Sequence, residues 1–344
     1  MTALTFHSRP GPETAMLLTT YDFALANKLF CHHLVNQPSS DKGQTAPFST
    51  FLSFTSYMYQ HAYRSTRASL YAYLTLLILT ILVEDETTAK LLCETTAPVR
   101  LCRQRPPYLP IPKVGPGRPY TASVLDLLAD GLNHNLRKRL DTSFYVQSLV
   151  IVSRTLTYLA KSRTKLSYHW SELWRSLLSF VRFLTSYPDD LKLLSGATTL
   201  VHKVVDLLSL ALTTGEAFLP DTGAYDDLVY KLVESGDALE KLRSTYALAK
   251  PDDKNSAVNT LIGVSKHYAE LIASHQKKKD FVSPAEVGKI IKQGYDSLAI
   301  ESRDEVGQTE KYREADHKTE LKKIARVAVS DAAILVRGGG DDNQ

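Results

Sequence analysis

Residues 170–184 read WSELWRSLLSFVRFL. Trp170, Leu173, Trp174, Leu177, Leu178, Val181 and Leu184 recur at steps of three and four, which lines one face of an α-helix. Glu172, Arg175 and Arg182 take other positions, and Pro188 ends the run. Both tryptophans lie on the apolar stripe four residues apart, so their rings share a helix face. As core anchors each would bury on the order of 200 Å². A groove for a ligand or peptide is the sharper alternative for the same pair.

The same rhythm extends outward in both directions. Upstream it predicts helices near 16–34, 48–63, 69–83, 87–96, 121–140 and 142–162. Downstream it predicts helices over 192–213, 225–248, 258–275, 285–300 and 310–335. Ser283-Pro284-Ala285-Glu286 has the form of a capping box that launches one of them, after a lysine run at 277–279. Seven prolines over 98–119 deny that stretch a regular helix and make it an extended loop. No alternating run of useful length suggests a strand. The expected fold is all-α: an armadillo-like α-solenoid or helical bundle of about ten to twelve helices. Residues 15–335 would form it, between a flexible N-terminus at 1–14 and a disordered tail at 336–344.

Composition fits that reading. The 344 residues are 44% apolar and 23% charged, with 16 Gly and 15 Pro, which excludes wholesale disorder and collagen-like sequence. Three cysteines, Cys31, Cys93 and Cys102, form no CxxC pair and no closed disulfide framework, which favours a reducing compartment. The first residues, MTALTFHSRPGPE, lack the basic and apolar regions of a secretory signal. Residues 70–83, LYAYLTLLILTILV, are the most apolar window. They fall short of the roughly 18–20 residues that span a bilayer. Arg67 on one side and Glu84, Asp85 and Glu86 on the other bound them. They read as a buried helix, with a membrane segment as the rival.

Catalytic signatures are missing. There is no GxxxxGK[ST], HExxH or GxSxG, and the ten histidines are scattered, with His32 and His33 on different helix faces. Asp189-Asp190 and Asp226-Asp227 follow turns and read as helix-starting carboxylates. The sequence therefore predicts no enzyme, no catalytic or metal-binding residue and no cofactor. Charge is more informative. Residues 99–182 hold fourteen Lys and Arg against four Asp and Glu, a local +10 inside a net charge of +4. Arg137, Lys138 and Arg139, with Lys161, Arg163 and Lys165, form two clusters at helix ends. They suit an acidic protein or an anionic membrane surface. The aromatics nearby follow the core rhythm, which argues against nucleic acid.

Several blocks resemble one family: 130–140 (DGLNHNLRKRL), 166–184, 215–221 (GEAFLPD), 225–233 (YDDLVYKLV) and 70–85. They are similar to the C-terminal conserved domain of the armadillo-like helical domain-containing protein 3 family, in a fungal-like form. The resemblance implies a non-catalytic helical scaffold or adaptor in the cytosol, peripheral at Golgi membranes. It implies phosphatidylinositol 4-kinase beta and a large Arf guanine-nucleotide exchange factor as partners. It also implies a chain corresponding to the C-terminal part of a longer protein. The alternative is a peripheral or integral membrane protein that uses the 70–83 helix and the basic 99–182 block.

Overall fold

A computed structural model describes residues 10–38, 44–102, 118–135, 141–253, 256–276 and 310–338. The helical periodicity becomes fourteen α-helices among these residues. Two runs that read as single helices are each split in two. The first breaks at Asn27, whose side chain accepts the N–H groups of Leu29 and Phe30 and so caps a new helix. This gives α1 (Met16–Ala26) and α2 (Lys28–Asn36). The other breaks at Ser235, and the helix expected over 192–213 starts instead at Ala197, after Gly196 with φ of 84°, and runs on to Phe218.

The described residues divide into two compact units: 1–147 with 310–344, and 148–309. In the first unit α3 (Pro47–His61), α4 (Thr66–Glu84) and α5 (Glu86–Glu94) follow α1 and α2. A two-residue antiparallel pair, Thr96–Ala97 with Arg118–Pro119, joins the flanks of the proline-rich stretch and leads into α6 (Tyr120–Asn135). Gly131 of α6 lies where a Cβ would come within 2.0 Å of the Tyr59 ring, so only glycine lets α6 approach α3. α7 (Thr142–Lys161) crosses the boundary between the units.

The apolar window is α4, the core helix of this unit, packed by α1, α3, α5 and α14 (Lys318–Gly338). Leu74, Leu76, Leu77, Ile78, Leu79 and Leu82 are fully buried. Each contributes about 1.5–3 kcal/mol of hydrophobic stabilisation. The threonine hydroxyls within α4 find partners: Thr75 donates to the Ala72 carbonyl, and Thr80 donates to Leu76 and accepts from Gln147.

The charges that bound the window are fasteners. Asp85 caps α5 by accepting the N–H and hydroxyl of Thr88, both at 2.9 Å, and pairs with Lys28 at 3.0 Å and His32 at 2.9 Å. Arg67 bonds Asp331 of α14 at 2.9 Å and the Pro10 carbonyl. Tyr71 donates to the same Asp331 oxygen at 2.6 Å. Glu84 accepts the Tyr312 N–H, and Tyr312 meets Tyr21 hydroxyl to hydroxyl at 2.8 Å. One face of α14, Leu321, Ile324, Ala328 and Asp331, is buried on this framework. The helix expected to start at 310 begins at Lys318 after a 3-10 turn, and it runs on to Gly338, into the stretch expected as a tail.

The second unit contains α8 (Trp170–Ser186), α9 (Pro188–Lys192), α10 (Ala197–Phe218), α11 (Thr222–Glu234), α12 (Gly236–Tyr246) and α13 (Ala257–Gln276). α8 packs on α10, α11 and α12, and α13 closes against the last three. At Gly236 a Cβ would meet the Ser265 hydroxyl at 2.4 Å, which fixes how closely α12 and α13 approach. The capping box at 283–286, the 285–300 helix, the 277–279 lysines and residues 103–117 and 136–140 lie outside the described residues.

Candidate interaction surface

The paired tryptophans are core. Trp170 and Trp174 are 2% and 0% exposed, and their rings stack at 5.5 Å with an interplanar angle of 16°. Trp170 also packs on Phe218 at 5.1 Å and edge-on to Tyr168, while its N–H donates to the Leu166 carbonyl at 3.0 Å. Neither ring leaves an open face for the groove alternative.

The second basic cluster is a surface. α7 ends in a Schellman turn: the Arg163 N–H donates to Ala160 O at 3.2 Å, and the Thr164 N–H to Leu159 O at 3.0 Å. Arg163 takes the left-handed conformation, φ 50°, that such turns normally reserve for glycine. Just beyond it, the Leu166 N–H donates to Phe218 O at 3.1 Å and anchors the chain onto α10. Lys161, Arg163 and Lys165 are all exposed, and none has an ion-pair partner among the described residues. A helix C-terminus welcomes one such cation, but three on one fixed turn exceed what the dipole uses. Charge-assisted contact with carboxylates or phosphates is the chemistry they offer.

Some of the remaining basic excess is spent within the fold. Arg118 pairs with buried Asp126 at 2.6 Å and Arg154 is buried, whereas exposed Arg182 donates to Ser235 at 3.1 Å and exposed Arg175 pairs with Glu172 at 3.2 Å. Sequence reasoning treated all of these as one reservoir, because only burial separates an internal guanidinium from a displayed one. Arg137, Lys138 and Arg139 lie outside the described residues.

Chemistry elsewhere is sparse. Burial pushes the Cys31 thiol up to about 11 and raises those of Cys93 and Cys102, so none is poised as a thiolate nucleophile. Among the described residues no group of three His, Cys, Asp or Glu could hold a metal ion. In the first unit an open groove of about 750 Å³ is lined by Pro10, Pro12, Met16, Leu17, Phe54 and Tyr57, with Glu13 beside them. It gathers no acid–base pair.

Comparison with known proteins adds the following. The family model described as armadillo-like helical domain-containing protein 3, C-terminal, matches residues 118–334. A Schizosaccharomyces pombe protein named as a UPF0588 membrane protein is 27% identical over 328 residues, which is 93% of this chain and 52% of the relative. Armadillo-like helical domain-containing protein 3 of Xenopus laevis is 28% identical over 294 residues, covering 80% of this chain and 42% of the relative. Its Homo sapiens counterpart is 27% identical over 280 residues, covering 77% and 40%. The chain thus spans about half the length of the curated relatives it matches, or somewhat less. No solved structure matches it.

Proposed function

We propose that this chain, which belongs to the armadillo-like helical domain-containing protein 3 family, is a non-catalytic helical scaffold that organises a phosphoinositide 4-kinase and Arf-exchange pathway at Golgi membranes. The observation that carries the scaffold reading is the exposed, rigid cationic turn at Lys161, Arg163 and Lys165 on an otherwise densely packed helical core. It holds charges ready for an acidic partner and assembles no reacting groups. The pathway follows from family membership, with phosphatidylinositol 4-kinase beta and a large Arf guanine-nucleotide exchange factor as the protein partners. In this reading the chain is cytosolic and peripheral at the membrane.

A membrane-spanning role for α4 is the competing reading. It draws on the name of the S. pombe relative and on α4 being 19 residues long and apolar. The burial of α4 and its hydrogen bonds to Asp331 and Gln147 oppose it, since insertion would discard the core of the first unit.

The test mixes the purified chain with each purified partner and with a triple variant, Lys161→Glu, Arg163→Glu and Lys165→Glu. Retention of the kinase or the exchange factor by the native chain, lost in the variant, is the expected result. Retention of neither overturns the pathway. Carbonate extraction from cells separates the competing reading, because a spanning segment resists it.

A further inference from the structure

Between α8 and α10 the chain makes an excursion in which Tyr187 packs on Phe183 at 5.4 Å but Leu193 and Leu194 stay on the surface. α9 buries none of its residues. Tyr187 is 51% exposed, Leu193 86% and Leu194 45%. A lone exposed leucine needs no explanation, but two adjacent ones form a sticky point that a core would have absorbed. Asp189 and Asp190, just upstream, are exposed and have no ion pair among the described residues. The neighbouring cation does not neutralise them, for the Lys192 ammonium lies 5.8 Å from the centroid of the Tyr246 ring.

We propose that residues 187–196 are a docking segment for a protein partner that offers two adjoining apolar sockets beside a cationic rim. The spacing Asp189-x-x-x-Leu193-Leu194 is that of the acidic dileucine signals that vesicle-coat adaptors read as extended peptides. The two leucyl side chains fill the sockets, and the carboxylates four and three residues upstream of Leu193 meet the rim. The charge selects a protein over a bilayer: two unneutralised carboxylates beside the leucines are repelled by anionic lipid. Extension is inexpensive, because a five-residue helix is far below the length that is stable alone. Pro188 at one end and Gly196, φ 84°, at the other confine the unwinding to the segment. Between α9 and Gly196, whose carbonyl accepts the Leu200 N–H of α10, the backbone bonds are single turns: the Leu194 N–H to Leu191 O at 3.0 Å and the Ala197 N–H to Leu194 O at 3.3 Å.

The experiment titrates the full chain against the purified core of a clathrin adaptor that carries a dileucine site, followed by fluorescence anisotropy. A synthetic Asp-x-x-x-Leu-Leu peptide serves as positive control and competitor. Direct binding is expected, displaced by the peptide and weakened roughly tenfold or more by Leu193→Ser with Leu194→Ser. The pair Asp189→Asn and Asp190→Asn weakens it less and flattens its salt dependence. These side chains are exposed, so circular dichroism melts confirm that the variants stay folded. No binding at adaptor concentrations that saturate the peptide overturns the proposal, as does a serine variant that binds as tightly as the native chain. Two further results also overturn it. One is leucine-dependent self-association in sedimentation, which makes the occupant a second copy. The other is leucine-dependent binding to phosphatidylcholine/phosphatidylserine vesicles. The proposal does not depend on the kinase or exchange factor, so a failure of the pathway reading leaves this outcome distinct.

Discussion

Trp170 and Trp174 stack ring on ring, yet only Trp170 has a partner for its indole N–H, the Leu166 carbonyl at 3.0 Å. The Trp174 N–H is buried without one. Leaving a buried donor unpaired costs about 1–3 kcal/mol, so its removal returns part of what the smaller ring loses in packing. Trp174→Phe should therefore destabilise the protein by about 1 kcal/mol less than Trp170→Phe. Urea titration of both variants checks the order.

Among the described residues, two other than glycine occupy left-handed turns, Arg163 at φ 50° and Ala247 at φ 49°. Both are exposed, and each has its backbone in a helix-ending bond, so a Cβ there is strain without benefit. Arg163→Gly and Ala247→Gly should each raise stability by about 1 kcal/mol. Arg163→Gly alone should also weaken an acidic partner. That pairing separates the charge of the turn from its shape, and thermal melts with a binding titration read both.

Asp331 joins Arg67 and Tyr71 where α14 crosses α4. Asp331→Ala takes a partner from half-buried Arg67, which keeps the Pro10 carbonyl, and leaves the buried Tyr71 hydroxyl without its acceptor, and should cost about 2 kcal/mol. Hydrogen exchange should then quicken throughout α14 and spread into α4. Fast exchange confined to the end of α14 would show that the clasp is dispensable.

Stability should fall in acid partly through Asp85. Burial works against ionisation of its carboxyl, but hydrogen bonds from His32, the Thr88 N–H and Lys28 outweigh it and hold the group well below the usual carboxylate range. A depressed folded-state value means that the contribution is complete above the unfolded value near 4 and is lost as pH falls further. Asp85→Asn should lower stability at neutral pH and flatten the curve below about pH 4. Urea midpoints across that range measure the slope.

The helical class was legible because period-3.6 spacing needs only local sequence. The breaks at Asn27 and Ser235 were harder. A single polar residue permits either a cap or a continued helix, and the choice is made by packing such as that of Gly236 against Ser265. Charge signs were legible at Lys161, Arg163 and Lys165, whereas the burial of Arg154 was not. Hardest to see was the role of Arg67, Glu84 and Asp85. In the sequence they look like solvated ends of an apolar helix. In the fold Arg67 and Glu84 hold segments more than 200 positions away, at Asp331 and Tyr312. The exposed leucine pair sat inside the helix expected over 192–213, which in the fold begins only at Ala197 and leaves both leucines outside it.

Tyr71 and the carboxylate that secures it are 260 positions apart. A ribosome adding roughly 5–20 residues per second needs about 13–50 s to travel that distance. For that interval the most apolar helix of the nascent chain has α1, α3 and α5 to pack on but lacks α14. Chaperones and membrane-insertion machinery meet α4 before Asp331 does. A stop codon ahead of α14 would therefore leave the side of α4 that α14 covers open to water and Tyr71 without its acceptor.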